Sequence, residues 1–242
     1  MDRRKKYYLV VDVETANSAQ EALVYDLGFA ICDKKGNIYV EKSNVITDIF
    51  FDEKEIYNNR EMMSTSYYNQ KLPNYYKGLH NGTWKATPLL VARKEIALLM
   101  KEWNISEVWA YNCNFDKNAL NNSVRYTTKS NLRWFFPYGT QFHCIWNVAT
   151  QTICKQKGYL RFCLENEFYS EKGNMKTSAE TVYAYLTRNV DFEEEHTGLA
   201  DVKIEVKILA KCLSQHKKID KNINTRCWQT PQKDFKELRM AL

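Results

Sequence analysis

Residues 7–16 read YYLVVDVETA, and this stretch decides how the rest of the chain is interpreted. Its β-branched and aromatic residues are typical of a buried strand. Asp12 and Glu14 stand two positions apart, and a strand places such residues on the same face. Carboxylates in an apolar strand are costly unless they are paired or bound to a metal ion, so this pair is a candidate site. An exposed strand face or chance is the alternative, because a D-x-E pair occurs about once in a chain of this composition.

The pattern on either side of this strand predicts a mixed α/β fold. Strands are predicted at 7–13, 23–32, 37–46 and 107–111, and short links between the first three indicate an antiparallel meander. Apolar residues at helical spacing predict helices at 88–103, 115–123, 142–154, 177–189 and 197–213. Ser178 is predicted as a helix cap. Strands that come first and then alternate with helices indicate three layers.

The composition is that of a globular chain. Of its 242 residues, 44% are apolar and 26% are charged, which excludes a disordered chain, and the formal net charge is +6. We predict one large domain over 1–214 with an insertion near 50–86, followed by a basic tail over 215–242. The insertion and a second stretch, 125–139, mix aromatic residues with Lys and Arg, a pattern that fits either single-strand binding or core packing.

The sequence also predicts where the protein works. The first residues are basic and then apolar, but Asp12 and Glu14 interrupt the apolar run and no small-residue cleavage site follows, so a signal peptide is not supported. No run of about 18 apolar residues predicts a membrane helix. Seven scattered cysteines without a C-x-x-C pair argue against disulfides and structural zinc. We therefore expect a cytoplasmic protein, and we interpret His80 and His143 as ordinary histidines.

Two later motifs also carry carboxylates. Asn112-Cys113-Asn114-Phe115-Asp116 lies between a predicted strand and a predicted helix, where an Asp commonly complements the helix dipole. The second motif, residues 196–201, reads HTGLAD and opens the last strong helix. It places His196 at the mouth of that helix and Asp201 about one turn inside. Either motif alone has an ordinary structural explanation.

Taken together, the three motifs resemble those of the DEDDh exonuclease family, which includes the proofreading subunit of bacterial DNA polymerase III. They stand in the family's order: D-x-E-T at 12–15, N-x-x-F-D at 112–116 and H-x-x-x-x-D at 196–201. The resemblance spans about residues 7–213. It implies a three-layer ribonuclease-H-like fold, with a mixed five-stranded sheet whose second strand is antiparallel and which is flanked by helices. The sister DEDDy group has a Tyr where this chain has Thr197, so the h-type is favoured.

The resemblance further implies a two-metal site. Carboxylate ligands favour two Mg²⁺ or Mn²⁺ ions. Asp12 would bridge both ions, Glu14 and Asp201 would complete the ion that holds the attacking water, Asp116 would support the other ion, and His196 would accept the proton.

Four further residues are predicted to meet the substrate. Thr15 and Ala16 would touch the terminal nucleotide through their backbone. Asn112 is either a substrate contact or a helix cap, and Phe115 either a substrate contact or a core residue. The family often has a His where this chain has Tyr111, and a Thr and a Gly where it has Ala16 and Asn17.

The sequence therefore predicts a metal-dependent 3′–5′ exonuclease that releases nucleoside 5′-monophosphates from single-stranded nucleic acid. DNA is the favoured substrate, and RNA or a short oligoribonucleotide is the alternative, because the motifs do not read the 2′ position. A third hypothesis is a scaffold that binds nucleic acid without cutting it. The expected partners are a single-stranded 3′ end and a protein of replication or repair, with no membrane.

Overall fold

The computed structural model describes residues 2, 4–51, 60–215 and 218–241. Part of the predicted insertion, 52–59, lies outside the described residues. In the described part, no helix is long and apolar enough to cross a membrane.

A single mixed sheet of six strands forms the centre of the described chain, in the order β4-β3-β2-β1-β5-β6. The strands are β1 Tyr7–Ala16, β2 Leu23–Asp33, β3 Ile38–Ile46, β4 Ala86–Thr87, β5 Glu107–Ala110 and β6 Gln141–Cys144. β2 is antiparallel to β1 and β3, whereas β5 and β6 continue parallel to β1. The predicted mixed sheet with an antiparallel second strand is therefore confirmed.

The sheet differs from the prediction at two short strands. Five strands were expected, and the sixth is the two-residue β4, which pairs in parallel with the end of β3. The helix predicted over 142–154 begins as β6, which pairs with β5 from Glu107 opposite Gln141 onward. Strands of two and four residues are too short to show the alternation that identifies a strand in a sequence.

Ten helices cover the sheet in the described residues. They are α1 Thr47–Phe50, α2 Arg60–Ser64, α3 Leu72–His80, α4 Leu89–Glu102, α5 Cys113–Thr128, α6 Ile145–Thr152, α7 Lys157–Glu165, α8 Ala179–Thr187, α9 Gly198–Leu213 and α10 Gln232–Met240. Short 3₁₀ turns lie at Asn69–Lys71 and Cys227–Gln229. The hydroxyl of Ser178 accepts a hydrogen bond from the Thr181 amide at 3.3 Å, which confirms the predicted cap of α8.

Alternation along β1 separates two cores. Leu9, Val11 and Val13 face the core that contains α4 and α5, whereas Tyr8 and Val10 face the core that contains α6 and α9. Asp12 and Glu14 continue this second face, so the apolar row ends in two carboxylates beside α9.

The end of the chain packs against the second core. Phe235 of α10 is fully buried, and Gln232 exchanges two hydrogen bonds with the backbone of Met175, at 2.8 and 3.0 Å. These residues lie within the segment predicted as a basic tail. Helical spacing there was weak because α10 buries only a narrow stripe of its surface.

Helix α9 begins directly on the sheet, where Gly28 of β2 meets Gly198. A Cβ atom at Gly28 would lie 2.0 Å from the carbonyl carbon of Gly198. Beside this contact, the Gly198 amide donates to the carboxylate of Asp26 at 2.9 Å, and the hydroxyl of Tyr75 donates to the same carboxylate at 2.6 Å. Because Gly28 is opposite Asp12 in the sheet, the start of α9 is held beside Asp12.

Gly28→Ala is expected to destabilise the protein. The new methyl group would overlap backbone atoms of Gly198 and Leu199, which can move only if the start of α9 moves with them. Overpacking of this kind costs about 1–3 kcal/mol or more, which corresponds to at least about 2 °C in the midpoint of thermal unfolding for a chain of this size. Gly158→Ala is the matched control, since its Cβ would meet only the hydroxyl end of Tyr185. Circular dichroism melts compare the variants, and a Gly28→Ala midpoint equal to that of the wild type would contradict the close contact.

Candidate active site

Asp12, Glu14, Asp116, His196 and Asp201 all line one cavity of about 770 Å³. The fold brings together residues that stand as much as 189 positions apart, since β1, α5 and α9 end or begin at this edge of the sheet. The structure thus places the side chains of all three sequence motifs around one space.

Backbone geometry explains how each carboxylate reaches the cavity. Asp12 and Glu14 end the second face of β1, and a register shift between Glu14 and Thr15 interrupts the pairing with β2 there. Asp116 and Asp201 both lie in the first turn of a helix, α5 and α9 respectively, where a negative charge is favoured by the helix dipole. Strand end and helix starts therefore converge on one point.

The carboxylates are crowded and poorly solvated. Burial raises the pKa of Glu14 to about 9 and the pKa values of Asp116 and Asp201 to about 7. Burial also raises the pKa of Asp12, and the neighbouring carboxylates raise it further. Each group thus disfavours its charged form, which is the expected behaviour of a carboxylate cluster that lacks a positive charge.

The donor set fits a divalent metal ion. Glu14, His196 and Asp201 each offer one ligand atom, and these atoms lie within 4.8 Å of one another. The Oδ1 atom of Asp201 is buried and has no hydrogen-bond partner among the described residues. Carboxylate oxygens with at most one imidazole suit a hard cation such as Mg²⁺ or Mn²⁺.

His196 is held from two sides. Its backbone has a φ of +53°, in the left-handed region, just before α9 begins. Its ring stacks on the ring of Tyr68 with centroids 3.8 Å apart, and its Nδ1 lies 3.9 Å from an oxygen of Glu194. Burial lowers the pKa of His196, so the imidazole is kept neutral near physiological pH.

The four predicted substrate residues divide into two groups. Thr15, Asn112 and Phe115 line the cavity. Asn112 is the N-cap residue of α5, yet its side chain makes no capping hydrogen bond, and Phe115 also packs against the first core. Ala16 does not line the cavity, since its side chain is fully buried in the first core.

Sequence reasoning missed two carboxylates in the cavity wall. Glu205 is 2% exposed and stands one helical turn after Asp201; its position within the apolar stripe of α9 was the available signal. Glu194 is the middle residue of a run of three glutamates, and burial raises its pKa to about 8. No periodicity distinguishes it from its neighbours in the run.

The aromatic residues of the predicted insertion lie partly at the cavity and partly in the core. Tyr67 and Tyr68 form one wall of the cavity, and Tyr67 is 85% exposed at its mouth. Tyr75 is instead buried. In the second aromatic stretch, Phe135 is buried and Trp134 is exposed under the guanidinium of Arg125, so both stretches contain core and surface residues.

Comparisons with known proteins place the fold. No family model matches the chain, and no curated protein matches its sequence. Similar solved structures include the zinc-bound complex of E. coli exonuclease I with single-stranded DNA, at 11% identity and a TM-score of 0.53, covering 88% of this chain and 41% of that one. E. coli exonuclease I with a dT13 oligonucleotide matches at 12% identity and 0.52, covering 87% and 42%. A structure described as the ExoI/SSB-Ct complex matches at 12% and 0.53, covering 93% and 43%.

These similarities show the fold alone. The chain spans about two fifths of the length of these exonuclease I chains. They confirm the predicted fold, a mixed sheet with an antiparallel second strand that is flanked by helices.

In metal-free buffer, the protein should lose stability as the pH rises. The raised pKa values mean that Asp116, Asp201 and Glu14 bind protons more tightly in the folded than in the unfolded state. Their contribution to the free energy of unfolding is therefore complete below about pH 4. It is lost as the pH rises through about 7 for the two aspartates and through about 9 for Glu14. Thermal melts in EDTA from pH 5 to pH 9 measure this decline, and millimolar Mg²⁺ should reverse it at pH 8.

Asp201→Asn should flatten the decline, with a midpoint at least about 3 °C above the wild type at pH 8, equivalent to about 1 kcal/mol. Asp191→Asn, at an exposed position, is the matched control and should follow the wild-type curve. If the wild-type midpoint does not decline as the pH rises from 5 to 9, the carboxyl groups do not have the raised pKa values that their burial implies.

Proposed function

We propose that the protein is a metal-dependent 3′–5′ exonuclease that acts on single-stranded nucleic acid, with DNA as the favoured substrate. The observation that carries this proposal is the convergence of Asp12, Glu14, Asp116, His196 and Asp201 on one cavity. The likeness of the fold to exonuclease I structures solved with single-stranded DNA supports the choice of substrate.

Each residue has a role that follows from its position. Asp12, Glu14, Asp116 and Asp201 would hold two Mg²⁺ or Mn²⁺ ions, which when bound supply charge stabilisation for the phosphoryl group under attack. His196 takes the proton of the attacking water at Nε2, because its Nδ1 faces Glu194. The Tyr68 ring keeps the imidazole in one plane through the stacking contact. The product is a nucleoside 5′-monophosphate.

The cavity mouth suits an unpaired strand. A volume of about 770 Å³ is in the range of pockets that enclose a nucleotide-sized ligand. The exposed ring of Tyr67 packs edge-on against Tyr68, with centroids 4.8 Å apart, and leaves a free face at the rim. Aromatic faces stack on unpaired bases of any sequence, which supports a single-stranded substrate.

The remaining predictions stand as proposals. A replication or repair partner is consistent with the likeness to the ExoI/SSB-Ct complex, and cytoplasmic localisation with the buried, free cysteines. RNA stays the alternative substrate. A non-catalytic scaffold is disfavoured because each of the five proposed catalytic side chains lines the cavity.

A 5′-labelled strand decides among these hypotheses. Single-stranded DNA and RNA of the same sequence are incubated with the protein in Mg²⁺, Mn²⁺, Ca²⁺ or EDTA. We expect a ladder that shortens from the 3′ end of DNA in Mg²⁺ or Mn²⁺ only, since the longer bonds and looser geometry of Ca²⁺ misplace the water. Asp12→Ala should abolish the ladder, whereas Asp191→Asn should not. Cleavage in EDTA, or Asp12→Ala activity within threefold of wild type, would refute the proposal.

His196→Ala should lower the turnover by about 10²–10⁴-fold, the usual contribution of a general base. The wild-type rate should fall at acidic pH with an inflection below about 6.5, because burial lowers the pKa of His196 and the protonated ring cannot accept a proton. The variant should lack this inflection. His80→Ala, at an exposed position, is the control for loss of an imidazole elsewhere.

Binding of labelled DNA in Ca²⁺ should be unchanged in His196→Ala, because the histidine is not proposed to hold the metal ions. A pH–rate profile that keeps its inflection in the variant would make His196 a structural residue.

A further inference from the structure

Glu205 is a buried carboxylate that the three sequence motifs do not include. Its side chain is 2% exposed, and it lines the same cavity as Asp12 and Asp116. Its Oε1 atom accepts a hydrogen bond from the backbone amide of Tyr111 at 3.0 Å. Its Oε2 atom is also buried and has no hydrogen-bond partner among the described residues. One oxygen is thus fixed, and the other is left for a group that the protein itself does not supply.

The carboxylates around Glu205 indicate which chemical group would pair with its free oxygen. Burial raises the pKa values of Asp12 and Glu205; the charge of Glu205 raises that of Asp12 further, and the charge of Asp116 raises that of Glu205. Asp12, Asp116 and Glu205 thus bring three carboxylates to the same cavity, in addition to those of Glu14 and Asp201. A buried, unpartnered carboxylate oxygen in a cavity lined by other carboxylates is strongly disfavoured unless a positive charge is present.

We propose that Glu205 is an additional ligand that holds one divalent cation together with Asp12 and Asp116, whereas Glu14 and Asp201 hold the other with Asp12. This inference rests on the proposed metal-dependent function. It gives the second cation two acidic residues besides the shared Asp12. The protein would consequently fill its second metal position at a lower metal concentration than four carboxylates alone allow.

Glu205→Gln separates this role from a structural one. The glutamine keeps a carbonyl oxygen that can accept from the Tyr111 amide, so the link between α9 and the end of β5 is retained. It removes the charge and replaces the free oxygen with an amide NH₂ group, which cannot bind a cation. A purely structural Glu205 would therefore tolerate the change.

The test is direct measurement of Mn²⁺ binding, with free Mn²⁺ quantified by electron paramagnetic resonance at pH 7.5. We expect two bound ions for the wild type, and for Glu205→Gln a 10- to 100-fold weaker affinity for one ion with the other unchanged. Asp116→Asn should weaken the same ion. Glu102→Gln, a surface residue at the opposite end of the sheet, is the matched control and should bind as the wild type does.

The outcomes distinguish the two levels of the proposal. Two unweakened Mn²⁺ ions in folded Glu205→Gln would overturn the role of Glu205 and leave the proposed function intact. A folded wild-type protein that binds no Mn²⁺ at millimolar concentration would overturn both. In the cleavage assay, the Mn²⁺ concentration for half-maximal activity should rise in Glu205→Gln by the same factor as the measured affinity falls.

Discussion

The backbone contact between Gly28 and Gly198 is the constraint on which the rest of the site depends. It lets helix α9 start against the sheet with no side chain in between, directly across from Asp12. Any larger residue would hold α9 farther away, and the carboxylate of Asp201 would retreat with it. The crowding of the cavity is thus a consequence of two residues that contribute no functional group.

The crowded carboxyl groups of the cavity lower the stability of the folded protein. The fold buries at least five carboxyl groups around one space, and burial raises the pKa of each of them. A protein selected for stability alone would place apolar side chains there, as this chain does two residues before Asp12, at Val10 on the same face of β1. The unfavourable charge is offset elsewhere, by two continuous apolar cores on either side of the sheet.

Much of the fold was predictable, because long strands and helices carry clear periodicity. The antiparallel β2 and β3 and the helices α4, α8 and α9 follow from spacing alone. The short strands β4 and β6 could not be predicted from spacing, because their pairing depends on strands that are distant in the sequence. The same holds for the cavity residues. Asp12 and Asp201 stand in recognisable motifs and were predicted. Glu205 and Tyr68 reach the site through tertiary packing, which no local sequence pattern indicates.

The carboxylate of Asp26 joins three parts of the chain that are far apart in sequence. It receives hydrogen bonds from Ser43 on β3, from Tyr75 on α3 and from the amide of Gly198. Residues 60–86 are therefore no removable appendage, although they read as one. Deleting these residues to make a smaller domain would remove the Tyr75 hydroxyl that donates to Asp26. Asp26 also binds the first amide of α9, so the shortened protein would hold that helix less firmly in place.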